Sequence, residues 1–133
     1  MLFLFANLNN LQALELRRLP EEYRGPLHGL PISVKECYFV KGCDATAGLV
    51  RYTNSPAQED GVMIKGMRKL GAIPFCLTNI PQTMVSYACS NPIFGITTHP
   101  LDKDRTPGGS SGGEACLIAM GGSILGNFQL FIF

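Results

Sequence analysis

The sequence predicts an α/β domain, and three observations carry that prediction. A long polar loop, an amphipathic helix and a continuous apolar run follow one another between residues 41 and 77, the order expected where a helix covers a buried strand. The run itself, Ala72 to Leu77, has strand length and no polar alternation, as in a strand covered on both faces. Across the 133 residues, 46% are apolar and only 16% are charged, the balance of a chain that buries a core.

Taken in order, Asn10 to Arg18 reads as a short helix with Leu11 and Leu14 on it and Arg17 and Arg18 at its C-terminal end, where positive charge suits the helix dipole. Pro20 interrupts it, and Gly25-Pro26 with Gly29 marks a turn. Pro31 to Lys35 alternates, with Ile32 and Val34 on one face and Ser33 and Lys35 on the other, and predicts a short strand. Residues 41–59 form a surface loop. Asp60 to Leu70 is the clearest helix: Asp60 caps it, Met63, Met67 and Leu70 recur at i, i+4 and i+7, and Gly71 stops it. Pro81 opens another short helix through Tyr87, residues 90–109 are irregular, and Glu114 to Met120 is helical again.

Composition excludes several functions. A net charge of +1 gives no electrostatic footprint for nucleic acid and no polybasic patch for membranes. The low charged share suits a piece of a larger protein. The five cysteines, Cys37, Cys43, Cys76, Cys89 and Cys116, are odd in number and lack CxxC spacing, so they read as reduced thiols in a cytosolic or cytosol-facing setting rather than as disulfides or a zinc site. His28 and His99 are far apart, and neither a metal nor a cofactor is expected. MLFLFANL lacks the features of a signal peptide and is too short to span a bilayer, so the chain reads as soluble or at most peripheral.

Two places hold candidate chemistry. In TPGGSSGGE, residues 106–114, glycines surround Ser110 and Ser111 directly before an apolar helix. A P-loop would need a lysine after the second glycine, and Glu114 would repel phosphate, although a glycine-rich turn before a helix still offers N–H groups to an anion. A flexible linker is the plain reading, but core-forming sequence lies close behind it. Lys35, next to Val34 and followed by Cys37-Tyr38-Phe39-Val40, sits in apolar surroundings that desolvate an ammonium and lower its pKa toward that of a general base. Glu36 points to the opposite face of a strand.

GPLHGLPISVKEC, TNIPQTMVSYACSNPIFG and TPGGSSGGE together resemble the amidase signature hydrolases, and within them the fatty acid amide hydrolase branch. The resemblance covers residues 25–126; residues 1–24 are unassigned, and 127–133 form an unrelated apolar tail. It implies a mixed central sheet covered by helices, incomplete at the C-terminus. It also implies a Ser–Ser–Lys triad in which Lys35 matches the base and Ser110 the relaying serine, while Met84 matches a residue lining the acyl side of the site together with Ser110. A serine hydroxyl both donates and accepts, so it can pass a proton from an attacking serine to a neutral lysine.

The family carries its attacking serine in a second glycine-rich loop of the form GTDIGGSIR, shortly after the position of Gly121-Gly122-Ser123. Here Asn127 to Phe133 stands in that place, so the expectation is a chain that is inactive by itself, with an aggregation-prone FQLFIF end. The implied partner of the parent protein is a small lipid amide, with no nucleic acid and no membrane association encoded in this stretch. The parent itself is expected in the cytoplasm or peripherally on a cytosol-facing membrane. The alternative is a non-catalytic fragment that binds acyl chains or pairs with a homologue or a second copy.

Overall fold

The computed structural model describes residues 2–4 and 6–126; the tail 127–133, with the expectations placed on it, lies outside them. The central feature is a three-stranded mixed sheet of order β1-β3-β2, formed by β1 (Leu2–Leu4), β2 (Pro31–Lys35) and β3 (Ile73–Thr78). The apolar run places β3 in the middle, antiparallel to β1 and parallel to β2. Pro74 has no N–H to give the ladder, and the register slips there: Ile32 faces Pro74 but Ser33 faces Cys76, after which Lys35 pairs with Thr78.

Parallel neighbours need a crossover, and the 41–59 loop with helix α2 (Val62–Lys69) supplies it. The helix is where the sequence places it, but its inward stripe is rotated by one residue. Ile64 is buried and Met67 half-buried, whereas Met63 and Leu70 are exposed. Asp60 is not the cap. Gly61 holds that position, and the Asp60 carboxylate instead accepts the Lys41 N–H at 2.8 Å and pairs with Arg68. Gly71 ends the helix with φ +92°, a left-handed conformation that glycine adopts without strain. A Cβ there would also stand 2.7 Å from the His28 backbone.

Helix α1 (Ala6–Arg17) follows β1 and is tied to the start of β3 by Gln12, whose Nε2 donates to the Ala72 carbonyl at 3.0 Å. The main core is Ile32 and Val34 of β2, Val40, Ile64 of α2, Ala72 and Leu77. The alternation in β2 is real, yet its polar face is not open to water: Ser33 and Lys35 are as buried as Ile32 and Val34. Helix α3 (Gly112–Ala119) covers that face.

No helix continues from Pro81 to Tyr87. A short 3-10 turn spans Gln82–Met84, with Thr83 and Met84 at φ +61° and +63°. Those left-handed dihedrals stop a right-handed helix at its first turn, and the Ala47 carbonyl, which accepts the Thr83 N–H at 2.8 Å, holds the turn in place. The irregular stretch after it contains a small hairpin of β4 (Ser90–Asn91) and β5 (Gly95–Ile96). Among the described residues no helix is long and apolar enough to cross a membrane.

Candidate active site

Lys35 is the last residue of β2, and Ser110 lies in the loop that leads into α3. The two meet: Lys35 Nζ donates to Ser110 Oγ at 2.8 Å, with Lys35 fully buried and Ser110 4% exposed. Ser111, its neighbour, occupies the N-cap position of α3 instead. The Gly109–Ser110 peptide bond is cis.

The glycines around Ser110 are closely approached by the 79–89 segment. A Cβ on Gly109 would lie 2.1 Å from the Ser86 carbonyl oxygen, one on Gly112 2.7 Å from Cys89 Cβ, and one on Gly113 2.5 Å from the Asn79 carbonyl oxygen. Contacts that short exclude any side chain. The Gly113 N–H donates to that Asn79 carbonyl at 3.2 Å, and the Cys89 thiol donates to it at 3.3 Å. The loop is thus set on the 79–89 segment as a packed, close-fitting element, which removes the linker reading. Glu114 points into the sheet rather than at an anion at the loop.

The electrostatics follow from burial. Desolvation pushes the Lys35 pKa down, partly opposed by Cys37, Glu114 and Cys89 nearby. Glu36 turns away, as its strand position requires: its Oε1 accepts the Thr46 N–H and hydroxyl, both at 2.7 Å. Burial raises the Glu36 pKa, and the bonds from Thr46 lower it less. Glu36 therefore spends its carboxyl on the 41–59 loop and not on Lys35.

Met84 takes no part in the Lys35–Ser110 bond. It is half-buried on the segment whose Ser86 and Tyr87 backbone packs against Gly109. A cavity of about 330 Å³ lies beside α3, lined in part by Thr78, Asn79, Thr97, His99, Gly113 and Met120, and by none of Lys35, Ser110 and Met84.

The sequence reading missed one member of the cluster. Glu114 is fully buried; its Oε2 accepts from Ser33 Oγ at 2.5 Å and its Oε1 from Thr78 Oγ1 at 2.9 Å. The available signal was spacing. Ser33 lies two residues before Lys35 on one strand face, and Glu114 lies four residues after Ser110 at the start of a helix.

A mixed sheet flanked by helices, with a buried lysine joined to a glycine-framed serine, is the frame in which this chain meets known proteins. The family model described as Amidase matches residues 2–127, and the chain belongs to the amidase family. It is 54% identical over 112 residues to fatty acid amide hydrolase 1 of Caenorhabditis elegans, covering 84% of this chain and 20% of that protein. It is 53% identical over 103 residues to fatty-acid amide hydrolase 1 of Sus scrofa, covering 77% of this chain and 18% of that protein. A solved structure of fatty acid amide hydrolase superposes with a TM-score of 0.85 at 34% identity, over 93% of this chain and 22% of that one. The chain therefore spans about a fifth of the length of these relatives.

Proposed function

We propose that the chain carries the base and the proton relay of a serine amide hydrolase that cleaves lipid amides to a carboxylic acid and an amine. The observation that supports this most is the buried Lys35 Nζ–Ser110 Oγ contact at 2.8 Å. Neutral Lys35 takes the Ser110 proton, and Ser110 takes the proton of an attacking serine, whose oxygen adds to the amide carbonyl. The relayed proton leaves on the amine as the C–N bond breaks, and water then releases the acid from the acyl serine.

In this reading Met84 lines the acyl side of the site, next to Ser110. Its place on the segment under Gly109 supports that assignment. The five free thiols support a cytosol-facing setting for the parent protein. Residues 124–133 contain no serine, so the 133-residue chain is proposed to be inactive by itself.

The test is a graft. Residues 25–126 replace the matching segment of the Caenorhabditis elegans fatty acid amide hydrolase 1, and hydrolysis of a fatty acid amide is followed by amine release. The graft is expected to hydrolyse, and Lys35→Ala within it to lose at least about a hundredfold in kcat. A folded graft whose activity is indifferent to Lys35 overturns the reading. So does serine labelling of the isolated chain by a fluorophosphonate, for the inactivity.

A further inference from the structure

We propose that Glu114 is the positioning residue of the Lys35–Ser110 pair: its carboxylate, held by Ser33 and Thr78, fixes where α3 meets β2 and sets the pH at which Lys35 gives up its proton. The inference deepens the proposed function and rests on it for its bearing on amide hydrolysis.

The geometry is that of two parallel rungs between one strand and one helix start. Ser33 and Lys35 point from the same face of β2, about 7 Å apart along the strand. Ser110 and Glu114 stand across from them, Ser110 just before the N-cap of α3 and Glu114 in its first turn. One rung is Lys35 Nζ to Ser110 Oγ at 2.8 Å, the other Ser33 Oγ to Glu114 Oε2 at 2.5 Å. A third contact, Thr78 Oγ1 to Glu114 Oε1 at 2.9 Å, comes from β3 at the position paired with Lys35. Sliding α3 along the sheet would break all three together. The rung is sealed: a Cβ on Gly126 would lie 2.2 Å from Glu114 Oε2, and Ser33 Oγ is 3.4 Å from the Leu125 carbonyl.

The charge argument concerns every group that faces Lys35. These are Cys37 from the turn after β2, Cys89 from the segment before β4, and Glu114 from α3; Glu114 is faced in turn by Lys35 and by Cys76 of β3. Burial raises the Cys37 and Cys89 thiols and pushes Cys76 up to about 12, so all three are uncharged near neutral pH. Glu114 is therefore the carboxyl among the groups that face Lys35, and its ionised form favours the charged lysine. Burial raises its pKa as well, while the hydroxyls of Ser33 and Thr78 and the charge on Lys35 pull it back. The two hydroxyls donate to the carboxyl and so favour its ionised form against the effect of burial.

The experiment reads Lys35 directly, by pH titration of its Cε resonance in the 133-residue chain labelled with [13Cε]lysine. The other lysines, Lys41, Lys65, Lys69 and Lys103, are exposed and serve as internal references. Glu114→Gln is expected to move the Lys35 midpoint about 1–3 pH units lower, with the reference lysines unmoved. An unchanged or raised midpoint in a folded variant overturns the proposal. Should Glu114→Gln fail to fold, the Ser33→Ala/Thr78→Val double variant keeps the carboxyl and releases its tethers. A lower Lys35 midpoint there supports the proposal, and an unchanged or higher one overturns it. No turnover is involved, so this result and the dependence of the graft on Lys35 can fail independently.

Discussion

Lys35 and Ser110, 75 residues apart in sequence, are joined by a 2.8 Å hydrogen bond between side chains that are both buried. The bond closes the space between the end of a strand and the start of a helix. Its donor is an amine whose surroundings favour the uncharged form, since desolvation is the largest influence on it. A lysine in that state has a free lone pair, and its nearest hydroxyl is also able to accept.

Within the graft, Ser110→Ala should lower kcat for a fatty acid amide by roughly 10²–10⁴ with little change in KM, because a relay acts on the transition state. The Lys35→Ala/Ser110→Ala double variant should be no worse than about threefold below the poorer single variant, since members of one relay act as a unit. Ser111→Ala, at the helix cap rather than at the lysine, should cost less than about tenfold. Steady-state kinetics decide it: equal losses at the two serines would remove Ser110 from its role.

How much of this was legible depended on how local the cause was. The apolar run made β3 readable because a strand buried on both faces leaves its mark in its own residues. Helix α2 was readable in extent but not in rotation: Met63 and Ile64 are both apolar, and only the sheet beneath decides which one turns inward. The expected helix after Pro81 failed because Thr83 and Met84 take positive φ, with the Thr83 N–H held by Ala47 in a loop far away in sequence. The candidate site divides in the same way. Lys35 stood out by its apolar neighbours and the glycine-framed serines by theirs, with Ser110 separated from Ser111 only by the family resemblance. The burial of Ser33 and Lys35 depends on α3, and the role of Glu114 depends on Ser33 and Thr78. None of those partners is a sequence neighbour.

Two glycine substitutions should move stability in opposite directions. Gly113→Ala places a Cβ within 2.6 Å of both the carbonyl oxygen and the nitrogen of Asn79, which are backbone atoms that cannot rotate away. A loss of about 1–3 kcal/mol is expected, as for overpacking in a core. Gly66→Ala, within the exposed side of α2 and with nothing inside 4 Å, should gain about 0.5–1 kcal/mol from helix propensity alone. Urea unfolding of the two variants beside the parent checks both signs.

The 79–97 region should depend on one amide. Asn91 Nδ2 donates to Asn79 Oδ1 and to the Ile80 carbonyl, both at 2.7 Å, and its Oδ1 accepts the N–H groups of Ile93 and Phe94 at 3.0 and 2.8 Å. Asn91→Ala abandons four partners at once and should cost about 2–3 kcal/mol. Asn91→Asp retains the two acceptor bonds but turns an oxygen toward two others. It should be destabilised more at pH 7 than at pH 4, a difference that denaturant titrations at the two pH values would reveal.

Stability should fall from acid to neutral pH and recover on the alkaline side, and the sign of each limb follows from a named group. Glu36 and Glu114 have folded-state pKa values raised mainly by burial. Each therefore contributes stability that is complete below its ordinary value of about 4.5 and is lost as pH rises through the folded value. Lys35 is shifted down. Its contribution is complete above about 10.5 and is lost as pH falls through the folded value, so stability climbs as the lysine deprotonates. The climb is best read below about pH 8, because thiols with an ordinary value of 9.0 begin to ionise in the unfolded chain above that and lower stability. Glu36→Gln should flatten the acid limb, and Lys35→Met should flatten the alkaline one. A urea midpoint that rises between pH 5 and 7 in the parent chain, or an alkaline limb untouched by Lys35→Met, would show that the burial of these groups does not govern their protonation.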